Sequence, residues 1–97
     1  MSDHLPVAQM SDVFKQLADQ SRLSVLHALW KAPLHVNEIC KRTGLSQPNV
    51  SHHLAQLKHL GLVKAEKKGQ RSLYSISDKH VFTILNECKE HVEQGVG

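Results

Sequence analysis

Gly44-Leu45-Ser46-Gln47-Pro48-Asn49-Val50-Ser51-His52-His53-Leu54 is the stretch on which the fold turns. Gly44 follows a short run of helical spacing, Val36 to Thr43, at the place where a left-handed residue commonly ends a helix. Leu45 makes the turn. Ser46 has the side chain of an N-cap, and Pro48 is tolerated in a first turn because those amides have no intrahelical acceptor. Two short helices joined by a glycine-containing turn of three to four residues form a helix-turn-helix. The second helix, Gln47 to Leu60, sets Val50, Leu54 and Leu57 on one face. Its other face presents Pro48, Ser51, His52, Ala55, Gln56 and His59, which hydrogen-bond well but carry almost no formal charge. A merely solvated helix face more often carries Glu and Lys pairs.

Downstream, Leu62 to Lys68 and Arg71 to Ser77 alternate on either side of Gly69-Gln70, the pattern of a β-hairpin. Its tip is basic, with Lys67, Lys68 and Arg71, and a basic hairpin directly after a helix-turn-helix reads as a wing. A last helix spans Asp78 to Gln94, with Ser77 or Asp78 as cap and an apolar stripe of Val81, Ile84, Leu85, Cys88 and Val92. Upstream, Met10, Val13, Phe14 and Leu17 keep i, i+3, i+4, i+7 spacing. Asp19 then caps a helix carrying Leu23, Leu26 and Leu29/Trp30, which Pro33 ends. These elements predict a mainly α (α+β) winged helix-turn-helix domain over 1–97, with a two-stranded β-wing. The expected parts are a flexible arm (1–9), the helix-turn-helix (36–60), the wing (62–77) and a C-terminal dimer helix (78–94). The terminal helices have little of their own domain to pack on, which makes them candidates for dimerisation.

Composition bounds the function. At 97 residues the chain holds one thin core and no separate catalytic domain. A net charge of +3 permits a nucleic-acid partner without requiring one. The first ten residues lack the pattern of a signal peptide, and no apolar run approaches the roughly 18 residues of a membrane span. Two cysteines are too few for a disulfide framework, so a cytoplasmic location is expected. An enzyme is not: Ser51 and His52 are adjacent on a helix and diverge by about 100°, and no phosphate loop or carboxylate pair appears. Neither a membrane nor a small-molecule substrate is an expected partner.

The expected partner is double-stranded operator DNA. Recognition helices place their N-terminal residues at base edges, here Ser46, Gln47, Asn49, Ser51 and His52, with Gln56 one turn further on. Lys41, Arg42, Lys64, Lys67, Lys68 and Arg71 would neutralise phosphates, which gives affinity and position rather than sequence choice. Ser46 serves equally as a plain cap, and Lys41 and Arg42 as solvated charges.

Histidine is the compositional outlier, with eight. Asp78 and His80 open the last helix, and His91 follows about three turns later. The two imidazoles are roughly 16 Å apart along the axis, too far to share an ion whose bonds to nitrogen are about 2.0–2.1 Å. Two such helices crossing antiparallel in a dimer bring His91 of one chain to Asp78 and His80 of the other. The alternative is that Asp78 is a cap and both histidines lie at the surface. Cys40 and Cys88 fall near apolar faces and read as buried small hydrophobes, as a thiol or sulfide switch, or as soft-metal ligands.

The runs Leu17-Ala18-Asp19-Gln20-Ser21-Arg22-Leu23, Leu45-Ser46-Gln47-Pro48-Asn49-Val50-Ser51-His52, Leu57-Lys58-His59-Leu60-Gly61-Leu62-Val63 and Gly69-Gln70-Arg71-Ser72-Leu73-Tyr74 resemble the ArsR/SmtB family of bacterial metal-sensing repressors. The resemblance spans roughly residues 10 to 94. It implies a homodimer that holds operator DNA when metal-free and releases it when an inducer binds. Asp78, His80 and His91 are similar to the C-terminal-helix site of the zinc- and cobalt-responsive members, and Gln94 departs from the Glu or His of that pattern, which leaves the fourth ligand open between Gln94, Glu93 and water. This nitrogen- and oxygen-rich set favours zinc, with cobalt as its surrogate. The Cys-x-Cys run of a second family site is replaced by His35-Val36-Asn37-Glu38, which argues against arsenite, cadmium or lead and leaves His35 and Glu38 with Asp3 and His4 as a weaker hard-ligand set. Two other inputs remain open: oxidation or sulfide at Cys40 and Cys88, or a winged-helix regulator with no metal response.

Overall fold

The structure, a computed structural model, describes residues 4–95. Five helices and three short strands follow in the order α1 (Val7–Leu17), α2 (Gln20–Ala28), β1 (Leu34–His35), α3 (Val36–Thr43), α4 (Gln47–His59), β2 (Val63–Lys68), β3 (Arg71–Ile76) and α5 (Lys79–Glu93).

Local chemistry explains the boundaries. Asp19 caps α2, its carboxylate accepting from the Arg22 amide at 2.9 Å. Gly44 ends α3 with φ at 77°, in the left-handed region that costs a residue without Cβ nothing. Ser46 caps α4, accepting from the Asn49 amide at 3.3 Å. Gly69, at φ 67°, and Gln70 turn the hairpin, and Lys68 pairs with Arg71 beside them.

Two expectations are corrected. Helix α1 begins at Val7, so Val7–Gln9 are helical rather than part of an arm. Residues 1–3 of that arm lie outside the described residues. The residue preceding the helix is Pro6, whose side chain makes no cap bond, so no Ser or Asp signal marks this start. The sheet is three-stranded, in the order β1-β3-β2, rather than a two-stranded wing alone. Leu34 and His35 pair antiparallel with Tyr74 and Leu73. Two residues are too short to show alternation, and their extended state comes from this pairing.

The core lies where α2, α3, α4 and the sheet base converge. Val25, Leu26, Ile39, Val50, Leu54 and Leu57 are each at most 1% exposed, and Leu62, Val63 and Ile76 close the sheet side. Val81 alone of α5 is buried there, and α1 buries no residue fully. The edge-to-face pair Trp30–Phe82, centroids 5.7 Å apart at 77°, fastens the start of α5 to the end of α2.

Candidate nucleic-acid interface

Burying Val50, Leu54 and Leu57 fixes the rotation of α4 and turns Gln47, Pro48, Asn49, Ser51 and His52 to solvent. Ser46, also exposed, uses its hydroxyl oxygen as the cap acceptor and keeps its O–H to donate. The first two turns therefore present amide, hydroxyl and imidazole groups, the repertoire that reads base edges.

Lys64, Lys67, Lys68 and Arg71 are all exposed on the wing, where Lys68 also pairs with Glu66 at 3.0 Å. The wing is tied back to the helix-turn-helix through His35, whose Nδ1 bonds the Ser72 carbonyl at 2.9 Å. Gln47 and Arg71 thereby line one cleft of about 300 Å³, together with His35, Asn37, Gln70 and Tyr74. The head of the recognition helix and the wing are thus brought together on one polar surface. Lys41 and Arg42 are exposed in the last turn of α3, where cations favour the helix dipole. Arg42 opens onto a different cleft, beside His27, Lys31 and Thr43.

Gln56, one turn further along α4, also meets another helix. It is half-buried, and its Oε1 accepts from Arg22 Nη1 at 2.9 Å. A guanidinium reaching across from α2 thus engages one of the two acceptor positions of this amide oxygen. Sequence reasoning missed Arg22 in this role. Its spacing from Asp19 announces only a helix start, and its partner lies 34 residues away.

Next to this pair, burial holds the His53 imidazole below its ordinary range. The Asp19 carboxylate pulls it back up, while Arg22 and His52 push it down. The Arg22 amide in turn holds the Asp19 carboxyl below the usual carboxylate range.

The proposed metal ligands sit at the two ends of α5. Asp78 caps the helix, its Oδ1 accepting from the amides of His80 at 2.8 Å and Val81 at 3.3 Å. His80 Nδ1 lies 3.4 Å from the same oxygen. His91 is exposed in the last turn, and Gln94 is the C-cap residue. Glu93 is paired to Lys89 at 2.8 Å, which raises the lysine above its ordinary range. Among the described residues of one chain, no three His, Cys, Asp or Glu side chains gather as a metal site. Of the weaker hard-ligand set, the His35 amide donates to Glu38 Oε1 at 2.9 Å in a capping box, and Asp3 lies outside the described residues. Cys40 is half-buried against the core and Cys88 is exposed on α5, both as free thiols.

No described helix is long and apolar enough to cross a membrane. Residues 19–65 match the model of the bacterial regulatory protein, arsR family. The chain is 37% identical over 91 residues to the HTH-type transcriptional regulator NmtR of Mycobacterium tuberculosis, covering 94% of this chain and 76% of that protein. It is 35% identical to the transcriptional repressor SmtB homolog of a Synechocystis species, covering 89% of this chain and 65% of that one. The fold superposes with a TM-score of 0.86 on the homodimeric winged helix-turn-helix DNA-binding domain Mb0332 of Mycobacterium bovis, at 26% identity over 100% of this chain and 94% of that one. With this fold, this polar recognition helix and these relatives, the chain belongs to the arsR family of bacterial regulatory proteins and is a DNA-binding transcriptional repressor, not an enzyme.

Proposed function

We propose that the repressor works as a homodimer that binds an inverted-repeat operator and lets it go when a divalent metal, zinc, binds between its α5 helices. The carrying observation is the apolar surface left on the two terminal helices. Met10 (37%) and Phe14 (53%) on α1, and Ile84 (38%) and Val92 (62%) on α5, stay exposed although the core behind them is complete. Apolar surface on both terminal helices calls for a partner, and a second copy joined by a two-fold axis supplies it. The likeness to a homodimeric domain supports this reading. In such a dimer Ser46, Gln47, Asn49, Ser51 and His52 of each subunit read one half-site, while Lys64, Lys67, Lys68 and Arg71 grip phosphates. Lys41 and Arg42 add charge at the edge.

The residues at the ends of α5 fit zinc by donor type. His80 and His91 are exposed imidazoles, and the Asp78 bonds all use Oδ1, which leaves Oδ2 outside them. Asp78 and His80 of one subunit with His91 of the partner subunit would hold the ion, and Gln94 or water would complete the set. Glu93 is the poorer fourth ligand because Lys89 already holds it. Zinc there supplies a cross-link between the two helices, and a preference for the dimer form that fits DNA poorly is all that release requires. Coupling of this kind is typically about 1–3 kcal/mol, a 5- to 150-fold change in DNA affinity.

Cobalt(II) titration of metal-free protein tests the site. Tetrahedral ligand-field bands saturating near one ion per chain, and absent in His80→Ala and His91→Ala, are expected. Zinc should then weaken binding of an inverted-repeat duplex by at least fivefold in the wild type and not in either variant. Equal DNA affinity with and without saturating zinc overturns the metal reading.

A further inference from the structure

Arg22 stands where three helices meet. Its amide is held by the Asp19 carboxylate, which fixes it in the first turn of α2. Its Nε donates at 2.9 Å to the carbonyl of Gln16, in the last turn of α1. That carbonyl is among the terminal four of its helix, which have no intrahelical donor. Its Nη1 donates at 2.9 Å to Gln56 Oε1 on α4. One planar guanidinium therefore joins α1, α2 and α4 by directional bonds from a charged donor, a class roughly twice as strong as neutral ones.

The bond to Gln56 sharpens what apolar packing begins. Burial of Val50, Leu54 and Leu57 sets the depth and the coarse rotation of α4, but hydrophobic contact is non-directional and leaves the finer angle to directional bonds. A hydrogen bond to a side chain on the flank of the helix fixes its roll. Gln56 lies four residues after His52, on the same side of α4, so turning one turns the other. Sites of this kind tolerate only about 10–20° of misorientation. Nearby, Gln16 Oε1 and His53 Nδ1 are buried with no hydrogen-bond partner among the described residues. Arg22 carries the hydrogen bonds that fasten α2 to α1 and to α4 here.

We infer that Arg22 and Gln56 are positioning residues for DNA reading. Arg22 sets the roll of the recognition helix and links it to α1, so that the two helices turn as one body. This rests on α4 being the helix that reads DNA. Neither residue need touch the duplex.

The test uses the full chain and a duplex enriched by the wild type from a random pool, with anisotropy measured across a salt series. Gln56→Leu is expected to lower affinity about tenfold, to leave the slope of log K against log salt unchanged, and to weaken discrimination at every base position alike. Gln56→Glu keeps an acceptor for Arg22 and is expected to stay within about fivefold of the wild type. Adding Arg22→Gln to Gln56→Leu should cost at most a further twofold in DNA affinity, because the bond across to α4 is already gone, while the additional loss of the bond to the Gln16 carbonyl should show as a lower melting temperature. Thermal melting and sedimentation of each variant show that fold and assembly persist.

The inference is overturned if Gln56→Leu binds like the wild type. It is overturned equally if Gln56→Glu binds worse than Gln56→Leu with a changed salt slope, since Gln56 would then face phosphate. A wild type that enriches no duplex would instead fail the reading of α4 itself, before any variant is compared.

Discussion

Helices α4 and α5 are both amphipathic, yet the molecule treats their apolar faces differently. In α4, Val50, Leu54 and Leu57 are at most 1% exposed. In α5, Val81 is buried, Leu85 is half-buried, and Ile84 and Val92 face solvent. The same hydrophobic period thus serves two ends. One face completes the fold of a single chain, and the other is left uncovered by it, which is where the proposed dimer would form. Pattern alone does not distinguish them, because it records which residues avoid water and not what covers them.

The contrast breaks first at Leu54. Leu54→Ala is expected to cost about 2–5 kcal/mol of stability, seen as a lower midpoint in denaturant, because the removed methyl groups are buried and leave a cavity behind. A cost below about 1 kcal/mol would mean that the α4 face is looser than its burial implies.

A charge on the α5 face should act on assembly instead. Ile84→Asp is expected to give monomers at micromolar concentration by sedimentation while the helical circular-dichroism signal persists. A variant that stays dimeric would place the partner surface elsewhere.

The smallest effect concerns acid. Burial depresses the His53 pKa in the folded chain below its ordinary value of 6.5, so below that pH the unfolded chain takes up the proton more readily. Stability should be flat above about pH 6.5 and fall as pH drops below it. His53→Gln is expected to flatten that slope between pH 6.5 and 5, measured by thermal melting, and to leave melting at pH 8 little changed. An identical slope in the variant would assign the acid sensitivity to other groups.

What the sequence made legible was what is local. Gly44, Ser46 and Pro48 lie within five residues of one another, and each constrains the chain through its own backbone or side chain, so the helix-turn-helix could be read to the residue. Gly69 did the same for the hairpin. What stayed hidden depends on distant partners. Leu34 and His35 form a strand only because Tyr74 and Leu73 lie beside them. Gln56 looks outward on an ideal helix and is drawn in by an arginine on another. Phe82 falls outside the α5 stripe, yet it holds the helix to Trp30. The proposed metal ligands lay on the page as residue types, but the constellation that would use them spans two chains, and spacing within one chain gives only its ends.

Trp30 is the only tryptophan of the chain, and its ring rests edge-to-face on Phe82 in the first turn of α5. The protein therefore carries its own optical gauge of that joint. Indole emission responds to the ring beside it, so a shift of α5 against α2 should register as a change in intrinsic fluorescence, without any label and on the millisecond scale of stopped flow. An inducer that moves α5 would then announce itself in the unmodified protein, independently of whether DNA is present.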